Sequence, residues 1–149
     1  SRNDTVELIR SFQANFPVPL KHFWQHDDGF RKTIILNKTF KAAGSNYIIQ
    51  IDGDIVMHPH FVRDHLTHRE RGYFIKGSRG RLTKELTEKV MKSGTISFSS
   101  LQPGVKSSIN ATYFPLASKL FYGKSDESRN VKGCNFAVWK EDFIAVNGY

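Results

Sequence analysis

The chain has 149 residues, a formal net charge of +8 and a single cysteine. That length carries one domain with a real core and leaves no room for two comfortable ones. Aromatics at 13% beside a charged fraction of 24% exclude a disordered chain, and Cys134 alone excludes an intrachain disulfide framework or a thiolate metal cluster.

The basic balance attracts polyanions, so nucleic acid, an anionic membrane surface and phosphate-bearing substrates all stay open as partners. No apolar run approaches bilayer-spanning length and no signal-peptide pattern opens the chain. A cytoplasmic location is therefore expected, with peripheral contact at the inner membrane face left open by the basic surface. The sequons at Asn37 and Asn110 read as chance occurrences.

Residues 4 to 15 have the apolar spacing of an amphipathic helix through Val6, Ile9, Phe12 and Phe16, and Pro17 and Pro19 end it. Leu20 to His26 is aromatic and extended, which predicts a strand running into the turn Asp27-Asp28-Gly29. Helical periodicity returns from Arg31 to Ala43, with Leu36 and Phe40 on one face and Gly44 at the expected C-cap. Tyr47 to Ile51 is a short strand with apolar residues on both faces, a pattern suited to the interior of a parallel sheet.

Pro59 opens another predicted helix carrying Phe61, Val62 and Leu66, and Tyr73 to Lys76 is a third strand. Leu82, Leu86 and Val90 mark the next helix. Residues 94 to 130 lose periodicity and read as an irregular excursion with room for one helix, including an apolar stretch from Tyr113 to Tyr122. Gly133 to Val138 is a strand, followed by a helix from Lys140 to about Val146. Alternating helices and strands predict an α/β layered fold with a largely parallel sheet and a single domain over 1–149.

The strongest chemical signal is Asp52-Gly53-Asp54 after the apolar strand. Two carboxylates emerging at a strand's C-terminal end are hard oxygen ligands suited to Mg²⁺ or Mn²⁺, with diphosphate oxygens and water completing the shell. Taken alone, Asp-x-Asp is as well explained by a surface turn. Asp27-Asp28-Gly29 also ends a predicted strand, and adjacent parallel strands would bring both acidic ends to one sheet edge.

Asp27-Asp28-Gly29-Phe30-Arg31, Asn37, Ala42-Ala43-Gly44 and Tyr47 to Asp54 together resemble the nucleotide-binding core of family 2 glycosyltransferases of the GT-A fold. The block Gly133-Cys134-Asn135-Phe136-Ala137-Val138, with Phe143 and Asn147-Gly148-Tyr149, resembles that family's segment ending in Asn-Gly-Phe/Tyr. The resemblance implies a Rossmann-like, mostly parallel sheet flanked by helices. It also implies metal-dependent transfer, with inversion, from a nucleoside diphosphate sugar to a saccharide or lipid-linked acceptor. A UDP-sugar is the expected donor and polysaccharide biosynthesis the expected setting. By position, Asp27 or Asp28 would contact the base, Arg31 would approach the nucleotide, Asp52 would serve ribose or metal, and Asp54 would be the principal metal ligand. Gly133, Cys134 and Asn135 would line the sugar and acceptor side.

Relative to the family, the chain is expected to be a piece lacking the first strand and the downstream segment with the catalytic carboxylate, which places that base beyond Tyr149. Glu141 and Asp142 stand at a predicted helix start, where stabilising the positive helix end is the simpler role. His58, His60, His65 and His68 form no closed zinc set and read as surface or partly buried histidines. Cys134 reads as a small buried residue, and Trp24 and Trp139 as core. Two alternatives remain: a binding-only or inactive fragment of the same fold, and a basic nucleic-acid-binding domain. Nucleic acid is not the expected partner, because two acidic strand ends would repel phosphates in the absence of metal.

Overall fold

A computed structural model describes residues 3–97, 99–115, 123–124, 131 and 133–149. Of the apolar stretch from Tyr113 to Tyr122, residues 116–122 lie outside the described residues. The helices follow the periodicity closely. They are α1 (Asn3–Gln13), α2 (Lys32–Ala42), α3 (Phe61–His68), α4 (Lys84–Ser93), a short α5 (Ser108–Ala111) within the irregular excursion, and α6 (Lys140–Ala145). The strands are β1 (Tyr47–Ile51), β2 (Ile75–Lys76), β3 (Arg81–Leu82), β4 (Val105–Lys106) and β5 (Asn135–Trp139).

The sheets overturn the expected fold class. β5 is the central strand of a three-stranded sheet in the order β1-β5-β2, and both flanking strands run antiparallel to it. β3 and β4 form a separate antiparallel pair. The described chain is thus a small mixture of helices and antiparallel sheets, and the mostly parallel, Rossmann-like GT-A sheet is not its architecture. Apolar residues on both faces of β1 report that both faces are covered; they carry no information about the direction of the neighbouring strand.

The predicted strand from Leu20 to His26 does not form either. Side-chain bonds hold the segment in place of a ladder: Gln13 Nε2 donates to Leu20 O at 3.0 Å, and the segment's own Lys21 Nζ and Gln25 Nε2 donate to Ala42 O at 3.3 Å and Arg31 O at 2.8 Å. Trp24, expected in the core, is 53% exposed.

Register fixes which residues share a face. Ile48 opposes Val138 and Gln50 opposes Phe136, so these four point to one side of the sheet. Phe40 of α2 and Phe143 of α6 close over that side, their rings 4.3 Å apart, with Leu36 and Phe74 packed around them. Burying each such side chain contributes about 1.5–3 kcal/mol. The opposite side carries Asn135 and Ala137, with Ile75 beside Ala137, and it meets α3 through His65.

The chain after α6 turns back sharply. Gly148 N donates to Phe143 O at 2.9 Å and Asn147 N to Ile144 O at 3.0 Å, with Asn147 in the left-handed region at φ 66°. This pair of bonds is a Schellman ending, which satisfies the last helix carbonyls and reverses the chain. Asn37 of α2 then grips Tyr149 from both sides, accepting from its N–H at 3.0 Å and donating to its carbonyl at 3.3 Å.

Candidate functional site

The C-terminal ends of β1 and β2 and the N-terminal end of β5 meet at one rim of the sheet. β1 delivers Asp52 there, and Ile55 N donates to Asp52 O at 3.2 Å, closing a turn with Gly53 and Asp54 at its centre. Asp54 is exposed, and Asp52 accepts from Lys32 Nζ at 2.8 Å. No atom lies within 4 Å of where a Cβ on Gly53 would stand. Packing does not require glycine here, so the open space above the turn is available to a ligand.

Asp28 and Arg31 form an ion pair, Asp27 is exposed, and Gly29 turns the chain at φ 72°. Arg31 is the N-cap residue of α2 and Lys32 its first helical residue. One residue thus engages the acidic turn while its neighbour engages Asp52. The two acidic segments meet across the start of α2, and not on adjacent parallel strands as expected. Side-chain exposures between 33% and 63% make these pairs worth little to stability, on the order of 0–1 kcal/mol each. Their consequence is local charge: consecutive cations at the start of α2 each hold one carboxylate, Arg31 that of Asp28 and Lys32 that of Asp52.

Gly133 O accepts from Gln50 Nε2 at 2.9 Å, and Gln50 Oε1 accepts from the Tyr149 hydroxyl at 2.6 Å. Burial holds that phenol above its ordinary value, and the bond to Gln50 and the Lys32 charge pull the other way while Asp52 adds to the rise. It therefore stays protonated and serves as a donor. Cys134, next in sequence to Gly133, is fully buried. Asn135 Nδ2 donates to Ser78 O at 3.4 Å, and its Oδ1 faces His65 Nε2 at 2.9 Å. Gly77 sits directly under it, since a Cβ there would lie 1.9 Å from Asn135 Nδ2.

Gln50, Tyr149 and His65 were not singled out from the sequence as site residues. Gln50 had one usable signal, a polar side chain in the middle of an otherwise apolar strand. His65 stands four residues after Phe61, on the same helix face, and the two rings pack edge to face at 4.6 Å.

Glu141 and Asp142 belong to the other edge. Tyr47 pairs with Trp139 at the end of β1 opposite to Asp52, so α6 starts about 14–17 Å from the acidic turn. There Glu141 accepts from Arg71 at 2.6 Å, Asp142 accepts from Gly72 N at 3.0 Å, and the Arg71 guanidinium lies 3.8 Å from the centre of the Trp139 ring. These residues fasten the 69–72 turn to the sheet.

The donor set at the rim suits a hard divalent cation. Among the described residues no group of three His, Cys, Asp or Glu is placed to hold a metal. Mg²⁺ commonly needs only one or two carboxylates when a substrate phosphate supplies the remaining oxygens, and Asp52 and Asp54 provide that number. No family model, no curated protein and no solved structure matches the chain.

Proposed function

We propose that the Asp52-Gly53-Asp54 rim binds the diphosphate of a nucleoside diphosphate sugar with Mg²⁺ or Mn²⁺, and that the chain serves sugar transfer to a saccharide or lipid-linked acceptor. A UDP-sugar is the expected donor. The observation that carries the reading is the exposed Asp52-Gly53-Asp54 turn at the end of β1, with Lys32 at the start of α2 bonded to Asp52 and nothing packed over Gly53.

Each residue has work in that reading. Asp54 and Asp52 would hold the cation, which would supply positive charge to a departing diphosphate. Lys32, drawn from Asp52 toward phosphate oxygens, and Arg31 add positive charge from the helix side. Asp28, or Asp27 beside it, accepts from the base or ribose. Gln50 holds Tyr149 and Gly133 in place at the back of the rim, so the donor meets a fixed wall.

Titration calorimetry with UDP tests this directly. Binding is expected with Mn²⁺ present and lost after chelation, and Asp54→Ala is expected to raise Kd at least tenfold, about 1.4 kcal/mol. Gly53→Ala is expected to leave thermal stability unchanged or slightly higher while weakening UDP, because its methyl group fills only the ligand's space. Equal affinity with and without metal, or an Asp54→Ala chain that binds as well as the parent, would overturn the reading.

A further inference from the structure

β1 is an outer strand of the three-stranded sheet, and its pairing fixes which of its backbone groups are engaged. Lys140 N donates to Asn46 O, so Asn46 and Lys140 form a bonded pair of the antiparallel ladder, and bonded pairs recur at every second residue. Ile48, opposite Val138, and Gln50, opposite Phe136, therefore turn their N–H and C=O groups toward β5. The other side of β5 agrees. Gly77 N donates to Asn135 O, so Asn135 and Ala137 serve β2 and leave Phe136 and Val138 to β1. Tyr47, Ile49 and Ile51 then direct their backbone groups away from the sheet. Tyr47 N finds Ser45 Oγ at 3.3 Å. Among the described residues, no hydrogen bond reaches the backbone of Ile49 or Ile51.

A row of unpaired backbone groups is a template for another strand, and proteins commonly blunt it with charge, proline or brevity. The outer strand on the other side is blunted: β2 has two residues, one of them Lys76. β1 is not. Its five residues, Tyr-Ile-Ile-Gln-Ile, carry neither charge nor proline, a composition suited to a strand with neighbours on both sides.

Charge at the two ends of β1 says which strand fits. At one end β1 runs into Asp52 and the exposed Asp54. At the Tyr47 end stand Lys41, exposed in the last turn of α2, and Lys21 and Lys140, whose ammonium groups sit on the carbonyls of Ala42, Lys41 and Ala43. An antiparallel neighbour that starts basic and finishes acidic matches both ends, and β1 of a second copy is such a strand. A two-fold axis at Ile49 sets Ile49 against its own copy and Ile51 against Tyr47 of the second chain, so outward groups meet outward groups. A slip of one residue would set them against Ile48 and Gln50, which already serve β5.

We infer that the chain forms a symmetric dimer through β1, joining the two three-stranded sheets into one continuous sheet. The inference is independent of the diphosphate site. A standard interface takes about 20–30 residues from each partner, and a five-residue strand offers far fewer, so Kd is expected at about 1 μM or above.

Sedimentation equilibrium over a wide range of concentration, paired with amide hydrogen exchange, tests it on the unaltered chain. The mass is expected to rise from one chain of 17.1 kDa to two and to stop there, because the axis uses both outer strands. Over the same range the Ile49 and Ile51 amides are expected to slow at least tenfold, while those of Ile48 and Gln50 are slow throughout. Ile49→Pro removes an outward N–H and no bond to β5, and it is expected to stay monomeric with the parent's circular dichroism. If that variant does not fold, Ile49→Lys gives the same reading, since it leaves the backbone intact and sets two like charges against each other at the axis. A single chain at every concentration, growth beyond two chains, or an Ile49→Pro chain that dimerises like the parent would overturn the inference. So would Ile49 and Ile51 amides already slow at the lowest concentration, which would mean that the chain covers this strand itself.

Discussion

His65 is a residue whose ionisation the fold controls. Burial pushes its imidazole below the ordinary value near 6.5; the Asn135 amide and the Asp64 charge oppose that push, and His68 adds to it. Above pH 6.5 the ring is neutral in both folded and unfolded chains, and it adds no pH dependence to stability. As pH falls below 6.5 the unfolded chain takes up the proton first, so stability is lost until the folded ring titrates as well. Thermal melts between pH 7.5 and 5 should therefore show a fall in Tm that is shallower in His65→Gln, whose amide does not titrate. Parallel slopes in the two proteins would contradict this assignment. From sequence this histidine was one of four crowded together, and only the Asn135 contact, made across 70 residues, distinguishes it.

At the scale of elements, the clearest case is α6 and its ending. Gly148 holds φ 75°, and a Cβ there would lie 2.5 Å from Asn37 Oδ1 and 3.0 Å from the Phe143 ring. Gly148→Ala is expected to cost at least about 1–2 kcal/mol from the left-handed backbone alone, measurable as a lower urea midpoint. The same change should loosen Tyr149 from Gln50. Unchanged stability would mean that the Schellman turn does not hold Tyr149 in place. Local pattern made most elements legible: α2, β1, α3, α4 and α6 lie close to where periodicity and turn residues put them. Strand direction was not legible, because pairing between Ile51 and Asn135 is decided by packing across 84 residues of chain. Leu20–His26 failed for a related reason, since β-favouring aromatics make a strand only when a neighbour offers a ladder. At the rim, Asp28, Arg31 and Asp52 were legible as charged residues near turns, whereas the α2 start that joins them, and the Gln50–Tyr149 bond, exist only once the helix and the C-terminal turn are in place.

Across the whole molecule, the two ends of the three-stranded sheet are fastened differently. At the Trp139 edge the ladder continues through Lys140 N to Asn46 O at 2.8 Å, and Lys140 Nζ reaches Lys41 O in the last turn of α2 and Ala43 O at its C-cap, at 2.8 Å each. Arg71 and Glu141 add an ion pair and a cation–π contact there. At the Asp52 end the ladder runs one bond further, Gly77 N to Asn135 O at 2.9 Å, and beyond it the Gly53-Asp54 turn is exposed. Amide exchange along β5 should accordingly run in a gradient, with Val138 and Trp139 the slowest to lose deuterium and Asn135 the fastest. A uniform rate along the strand would contradict it. Such a sheet resembles a book bound along one margin: whatever the acidic turn meets, the spine at Trp139 needs no ligand to stay closed.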